Sequence, residues 1–379
     1  MQNKKPLRVA IFSPSEGTVS ETFIRAHRER LPLSIINRYE SNWRLRDDNG
    51  RRIWTFGNAF GFISQRFVPK LNTAAFNFIL SQHLRRFGVN AVLAEYGMTG
   101  ADLVEGCKRA CVPLFVHFHG FDASVHTVLD SNRERYKKMF DYASGIVAVS
   151  IAMKDRLISL GAPQERLYVN AYGVDPDRFS GGSPETKDPI FCAVGNFVEK
   201  KAPYLTVLAF SKVAQAVSDA RLIMVGEGPL FGPCKRLATA LGLGSRVQFV
   251  GVQNPDFISK LMRTARAFVQ HSLEAENGDC EGTPVAVIEA QMTGLPVIST
   301  KHAGIPDVVV NEETGFIIEE GDVDGMSARM LQLAHYPELA GRMGRAARER
   351  ALCNYTLDRH LNQLAEMIEI EVSLKKKLK

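Results

Sequence analysis

The sequence predicts an α/β chain built as two Rossmann-like halves, each a doubly wound parallel sheet, facing one another across a cleft. Three observations predict it. Short, continuous apolar runs of strand length alternate with helical patterns, as expected of strands covered on both faces by crossover helices. A polar, Gly/Pro-rich stretch without periodicity, SGGSPETKDP from Ser180 to Pro189, interrupts this series near its middle. A chain of 379 residues has room for two domains of ordinary size.

The elements follow in order. LRVAIFS (Leu7 to Ser13) reads as a buried strand; a loop, PSEGTVSE, and a helical pattern through Phe23, Ile24 and Leu31 complete a βα opening. Further strands are expected at Ala91 to Ala94, Leu114 to His119, Gly145 to Ser150 and Leu167 to Asn170. Beyond the polar stretch a second series is expected at Ile190 to Val194, Arg221 to Val225, Val247 to Val250, Ala267 to Gln270, Pro296 to Ser299 and Gly315 to Ile318. The expected domains are residues 1–182 and residues 183–355, followed by a C-terminal helix and tail at residues 356–379. That helix, with Leu361, Leu364, Ile368 and Val372 at helical spacing, is expected to pack back toward the first domain.

Composition narrows the function. Hydrophobic residues make up 45% and charged residues 23%, which excludes a disordered chain. No apolar run approaches the roughly 20 residues of a membrane-spanning helix, and the N-terminus lacks a secretory apolar segment, so a cytoplasmic protein is expected. The six cysteines are scattered and read as thiols. Cys107 and Cys111 with His117 and His119 have the residue types of a zinc set, but Pro113 ends the helix of the cysteines and the next strand carries the histidines away, so buried thiols are preferred. Residues 1–180 hold 25 Lys+Arg against 17 Asp+Glu, and the remainder 22 against 24. The basic excess suits a phosphorylated acceptor or an anionic membrane surface. Few aromatic residues interleave with the arginines, which disfavours nucleic acid.

The chemistry concentrates in EGTPVAVIEAQMTGLPVIST, Glu281 to Thr300. Gly282 lets a ligand approach the backbone, Thr283 can cap a helix, Pro284 suits its first turn, and the helix continues from Val285 until Gly294 and Pro296 stop it. Its free amides and positive dipole end make an anion site that fits a diphosphate. Glu281 and Glu289 bracket the site; a phosphate pocket repels carboxylates, so they are read as accepting hydrogen bonds from hydroxyls on either side, one from a sugar and one from a ribose. Upstream, Lys200 and Lys201 lie in a loop at the end of IFCAVG, where a cation offsets charge on a leaving diphosphate. Gly226, Gly228 and Gly251 sit in tight turns after further strands, lining a nucleotide crevice.

VGNFVEKKAP, VGEGP, FVG and the Glu281-to-Glu289 stretch together resemble the donor domain of retaining glycosyltransferases of the GT-B fold, the family 4, group 1 type. In the first half, SEGTVSETFI and HFHGFD are similar to segments that lie under the donor diphosphate and beside the transferred sugar. The resemblance implies that Glu281 contacts the sugar, that the amides of Gly282, Thr283 and Val285 around Pro284 hold the distal phosphate, and that Glu289 binds the ribose. It also implies that Lys201 neutralises the diphosphate, that Val252 lies near the base, that His119 meets the sugar and that Gly17 admits the donor. Asn196 stands where relatives commonly carry Arg, so a neutral donor replaces a charge there. The implied reaction is transfer from a UDP- or GDP-sugar, as co-substrate and with no other cofactor, to a hydroxyl of a glycan or lipid-linked acceptor, with retention. No metal is called for, the sequence being read as lacking the metal-binding Asp-x-Asp pair of the other fold class. The alternatives are a GT-B epimerase or phosphorylase, the latter needing a lysine for pyridoxal phosphate and a longer chain, and a non-catalytic binder of nucleotide sugars or nucleic acid.

Overall fold

The computed structural model describes residues 7–14, 22–41, 44–46 and 69–377. The chain forms two compact units, Met1–Asn170 with His360–Lys379, and Ala171–Arg359.

The first unit is a seven-stranded sheet of β1 (Arg8–Ser13), β2 (Ser34–Ser41), β3 (Arg44–Arg46), β4 (Ala91–Glu95), β5 (Leu114–His117), β6 (Gly145–Ala148) and β7 (Leu167–Val169). Its order is β3-β2-β1-β4-β5-β6-β7, parallel except for the antiparallel edge strand β3. The central strands read as unbroken apolar runs because helices cover both faces: Val9 to Phe12 and Ala91 to Ala94 are buried. β2 and β3 were not legible from the sequence; SIINRYES mixes polar and apolar residues without a strand's period. β5 ends at His117, two residues short of the expected run, and its last residue lies in register with Glu95 of β4.

The second unit adds β8 (Ile190–Val194), β9 (Arg221–Val225), β10 (Val247–Phe249), β11 (Ala267–Gln270), β12 (Val297–Thr300) and β13 (Gly315–Ile318), all parallel in the order β10-β9-β8-β11-β12-β13. The chain winds outward from β8 to β10, then returns to place β11 on the other side of β8. The order therefore reverses between β8 and β11, where open α/β sheets bind ligands beyond the strands' carboxyl ends.

The division between units falls at Asn170, earlier than the polar stretch at residues 180–189 expected to link the domains. That stretch is built into the second unit: the Gly182 amide donates to the Thr293 carbonyl at 2.8 Å and Arg345 pairs with Glu185 at 3.2 Å. Its composition marked irregular backbone, not a tether. The final helix, Leu357–Lys377, belongs to the first unit from His360 onward, as expected: Tyr168 donates to Glu371 at 2.6 Å and Leu361, Leu364, Ile368 and Val372 are buried. No described helix is long and apolar enough to cross a membrane.

Candidate functional site

At the carboxyl edge of β8, β9 and β10 three successive loops are laced together by backbone. The Gly195 amide donates to the Val225 carbonyl at 3.0 Å, Gly226 to Gly251 at 2.9 Å and Phe197 to Glu227 at 2.9 Å. Two glycines make this possible. Gly226 (φ 129°) and Gly228 (φ 150°) occupy backbone regions that side chains rarely adopt, and a Cβ would lie 2.0 Å from the Gly195 oxygen or 2.7 Å from the Phe197 oxygen. The result is a bare peptide floor beside Asn196. A depression of about 290 Å³ opens on it, lined by Gly195, Asn196, Lys201 and Gln270 among others.

Lys201 lies along Gly195, whose hypothetical Cβ would come 2.8 Å from Lys201 Cδ, and ends 2.9 Å from Glu281 Oε1. Its neighbour Lys200 turns to Asp279, at 2.9 Å, and to the Cys280 carbonyl, at 3.2 Å. Two lysines thus face two carboxylates. Burial alone would raise the Glu281 carboxyl, but Lys201 and then Lys200 outweigh it and hold the group below its ordinary range. For Lys200, burial is outweighed by Glu281 and Asp279, so its ammonium sits above the usual value. Glu281 is therefore a buried carboxylate that stays ionised.

The Glu281 amide donates to His302 Nε2 at 3.2 Å, and His302 Nδ1 donates to Glu320 at 2.6 Å. This chain fixes the ring tautomer and the backbone that carries Glu281. The sequence reading missed both residues, although His302 lies two residues past the carboxyl end of β12, the place where site residues collect in such sheets.

The helix after Glu281 runs Val285–Thr293, nine residues, and opens at this edge. Thr283 does not cap it, contrary to expectation. Pro284 holds the cap position (φ −68°, ψ 114°) and makes no side-chain cap bond, its ring carrying no acceptor, while its fixed φ sets the entry into the helix. The first amides of such a helix have no intrahelical partner, which leaves Val285 and its successor for an anion. Glu289, half-buried one turn further on, is pushed up to about 7 by burial, with Arg178 opposing. Val252, after Gly251 (φ 69°), is exposed.

Of the residues singled out from the sequence, one edge of the second unit gathers Asn196, Lys201, Gly226, Gly228, Gly251 and the segment Glu281 to Val285. His119 lies in the first unit. Gly17 lies outside the described residues. His119 closes a loop braced by Asp122, whose Oδ1 accepts the amides of His119 (3.0 Å) and Gly120 (2.9 Å) and whose Oδ2 accepts that of Gly97 (2.9 Å). Its ring stacks on His117, with centroids 4.5 Å apart, and its Nε2 lies 2.9 Å from Glu95 Oε2. His27 and His360 complete this buried cluster. Neither Glu95, His27 nor His360 was picked out from the sequence, since they come from β4, the first helix and the last.

Among the described residues two groups come close enough to share a metal ion, His27/His117/His360 and Glu95/His117/His119. The cysteines belong to neither: all six are thiols outside any disulfide, Cys107 buried and Cys111 exposed. Asp-x-Asp pairs do occur, correcting the sequence reading, but the first carboxylate of each accepts a backbone amide. Asp175 accepts the Asp177 amide at 3.0 Å, and Asp322 caps a helix through the Gly325 amide at 2.7 Å while Asp324 pairs with Lys212.

The fold is that of an α/β protein of the GT-B class, with two Rossmann-like units and, at a switch point of the second sheet, a glycine-floored edge onto which a helix N-terminus opens. The family described as Glycosyl transferases group 1 matches residues 175–350 and Glycosyltransferase Family 4 matches residues 11–178. The chain belongs to this family of glycosyltransferases. It is similar to the amylovoran biosynthesis glycosyltransferase AmsK of Erwinia amylovora, 27% identical over 295 residues, covering 77% of this chain and 72% of AmsK. It is also similar to a GDP-mannose-dependent α-(1-6)-phosphatidylinositol monomannoside mannosyltransferase of Mycolicibacterium smegmatis, 26% identical over 294 residues, covering 74% of this chain and 75% of that one. Among solved structures, HepE of Anabaena in complex with UDP shares the fold with a TM-score of 0.76 at 16% identity, covering 96% of this chain and 99% of HepE.

Proposed function

We propose that the protein moves a sugar from a UDP- or GDP-sugar to a hydroxyl of a glycan or lipid-linked acceptor in cell-surface polysaccharide or glycolipid synthesis, with retention at the anomeric carbon and no essential metal. The observation that carries this reading is the Val285–Thr293 helix N-terminus opening beside the Lys201–Glu281 pair, at the edge where the sheet order reverses. The diphosphate binds the helix amides and the floor at Gly226 and Gly228. Lys201 leaves Glu281 for the phosphates and neutralises the departing nucleotide, and Glu281, still ionised, takes hydroxyls of the sugar. His119 is assigned to the same sugar. Supporting the choice of donors and products, AmsK is named for amylovoran biosynthesis, the mycobacterial relative for GDP-mannose and a phosphatidylinositol mannoside, and HepE was solved with UDP. The test is incubation with UDP- and GDP-sugars and membrane or glycan extracts. Nucleoside diphosphate release that requires extract supports transfer; no release with any donor overturns it.

Glu289 gives this reading a pH signature. Ribose hydroxyls donate more strongly to a carboxylate than to a carboxylic acid, whose own O–H competes as a donor, and burial pushes this group up to about 7 in the free protein. Nucleoside diphosphate affinity is therefore expected to rise as pH is raised from 6 to 8. Glu289→Ala should remove that dependence and cost about 1–3 kcal/mol of binding at pH 8. Calorimetry with UDP and GDP checks both. Unchanged affinity in the variant removes the ribose assignment.

A lipid-linked acceptor would bring the basic first unit to the cytoplasmic membrane face. Arg25 is exposed and Arg28 half-buried on the helix Thr22–Arg30, three residues apart and so on one side of it. Binding to anionic vesicles is expected to fall steeply between low and physiological salt, and Arg25→Ser with Arg28→Ser to weaken it, with nucleotide binding unchanged. Sedimentation that is insensitive to salt and to both substitutions would return these arginines to ordinary surface charge.

A further inference from the structure

The buried cluster of the first unit can be followed proton by proton. Glu95, His27 and His117 have no exposed surface and His360 has 2%. Burial would raise Glu95, but His27 and His119 outweigh it and hold the carboxyl well below its ordinary range. Its two oxygens therefore act as acceptors, Oε1 2.8 Å from His27 Nδ1 and Oε2 2.9 Å from His119 Nε2. Each of those nitrogens carries hydrogen. At the other end, Asn170 Nδ2 donates to the backbone carbonyl of His360 at 3.1 Å, which orients the amide and leaves its Oδ1 to accept from His360 Nδ1, also at 3.1 Å. So Nδ1 is protonated on both His27 and His360. Two neutral rings of that tautomer would present Nε2 lone pairs to one another, yet these atoms lie 2.7 Å apart.

Something positive belongs between them. A tetrahedral metal at about 2.0–2.1 Å from each nitrogen sets its ligands roughly 3.3 Å apart, well beyond the separation here. A distance of 2.7 Å is that of a charge-assisted hydrogen bond, and a proton is the occupant that fits. Among the described residues the further ionisable group beside the pair is His117, which burial holds neutral, with His119 adding to the effect, so it does not supply the charge.

We propose that Glu95 is a positioning residue for His119, and that a proton shared between His27 and His360 is its buried counter-charge. Glu95 accepts the hydrogen bond of His119 Nε2–H and so leaves Nδ1 as the acceptor of the neutral ring, while the stacked rings of Phe23 and His117, at 4.6 and 4.5 Å, fix its plane. The consequence for catalysis rests on the assignment of His119 to the transferred sugar. His119 can then receive a hydrogen bond from a sugar hydroxyl in one defined orientation, and the last helix, through His360, becomes part of what sets it. The proton is neither gained nor lost in turnover; it balances Glu95.

Nitrogen-15 histidine spectra of the intact protein at pH 7.5 test the proton inventory without any substitution. The expected result is His119 protonated at Nε2 and one of the His27/His360 pair protonated at both nitrogens. Both rings of that pair neutral, or His119 protonated at Nδ1 only, would overturn the proposal. Kinetics with the donor that the protein turns over test the consequence. Glu95→Gln, checked for an unchanged fold by near-UV circular dichroism, is expected to lower kcat by about 10- to 100-fold, the range for a lost charged hydrogen bond, with donor KM within about twofold. His119→Ala should lower it at least as far. If His119→Ala is inactive while Glu95→Gln retains full kcat, the positioning role is wrong. If His119→Ala itself turns over normally, the failure lies with the sugar assignment, and the spectra still decide the tautomers.

Discussion

Glu281→Gln is expected to lower kcat by about 10²- to 10³-fold while UDP or GDP binding stays within about twofold, the scale seen when one preorganised group facing developing charge is removed. The substitution keeps shape and removes only the charge. In the free protein that charge is paired with Lys201 at 2.9 Å, and the buried carboxyl is held ionised by Lys201 and Lys200. When a diphosphate draws Lys201 away, the carboxylate faces the sugar end, where positive charge builds at the anomeric carbon as the nucleotide leaves. A neutral amide cannot answer that charge. On the proposed reading nucleotide binding depends on the helix amides and the Gly226–Gly228 floor and so should survive. Single-turnover rates beside nucleotide calorimetry make the check; near-normal turnover sinks the role.

Lys201→Ala should act on the same step from the other side, lowering kcat by roughly 100-fold with a smaller change in KM, because its charge is worth most when the leaving diphosphate is fully developed. Lys200→Ala is the control. Lys200 is committed to Asp279 and the Cys280 carbonyl, whereas Lys201 lines the pocket floor. Lys200→Ala is expected to loosen the Asp279 segment and to lower thermal stability more than turnover. If it is the more damaging to kcat, the two lysines have exchanged roles.

Much of this architecture was legible in the sequence because its signals are local. Buried parallel strands are continuous apolar runs, and Gly226, Gly228 and Gly251 mark turns whose backbone no other residue tolerates as well. The helix from Val285 was legible for the same reason, though its cap was misjudged: Thr283 has the right chemistry, yet Pro284 with its fixed φ makes the entry. What escaped was non-local. His302 reaches Glu281 across 21 residues, and His27 meets His360 across 333, so no spacing rule joins them. β2 and the short edge strand β3 beside it escaped because Ser34 to Ser41 lacks the period of a buried strand. The misplaced domain boundary has another cause. Polarity and glycine report irregular backbone, and irregular backbone packs as firmly as any other when Arg345 and Thr293 hold it.

The anomeric configuration of the first product tests the central claim most directly. With the α-linked UDP- or GDP-sugar that supports nucleotide release, proton NMR should show the newly transferred sugar, or the first-formed free sugar where water substitutes for the acceptor, in the α configuration. Appearance of the β anomer first would contradict a retaining transfer built on Glu281, Lys201 and the Val285 helix.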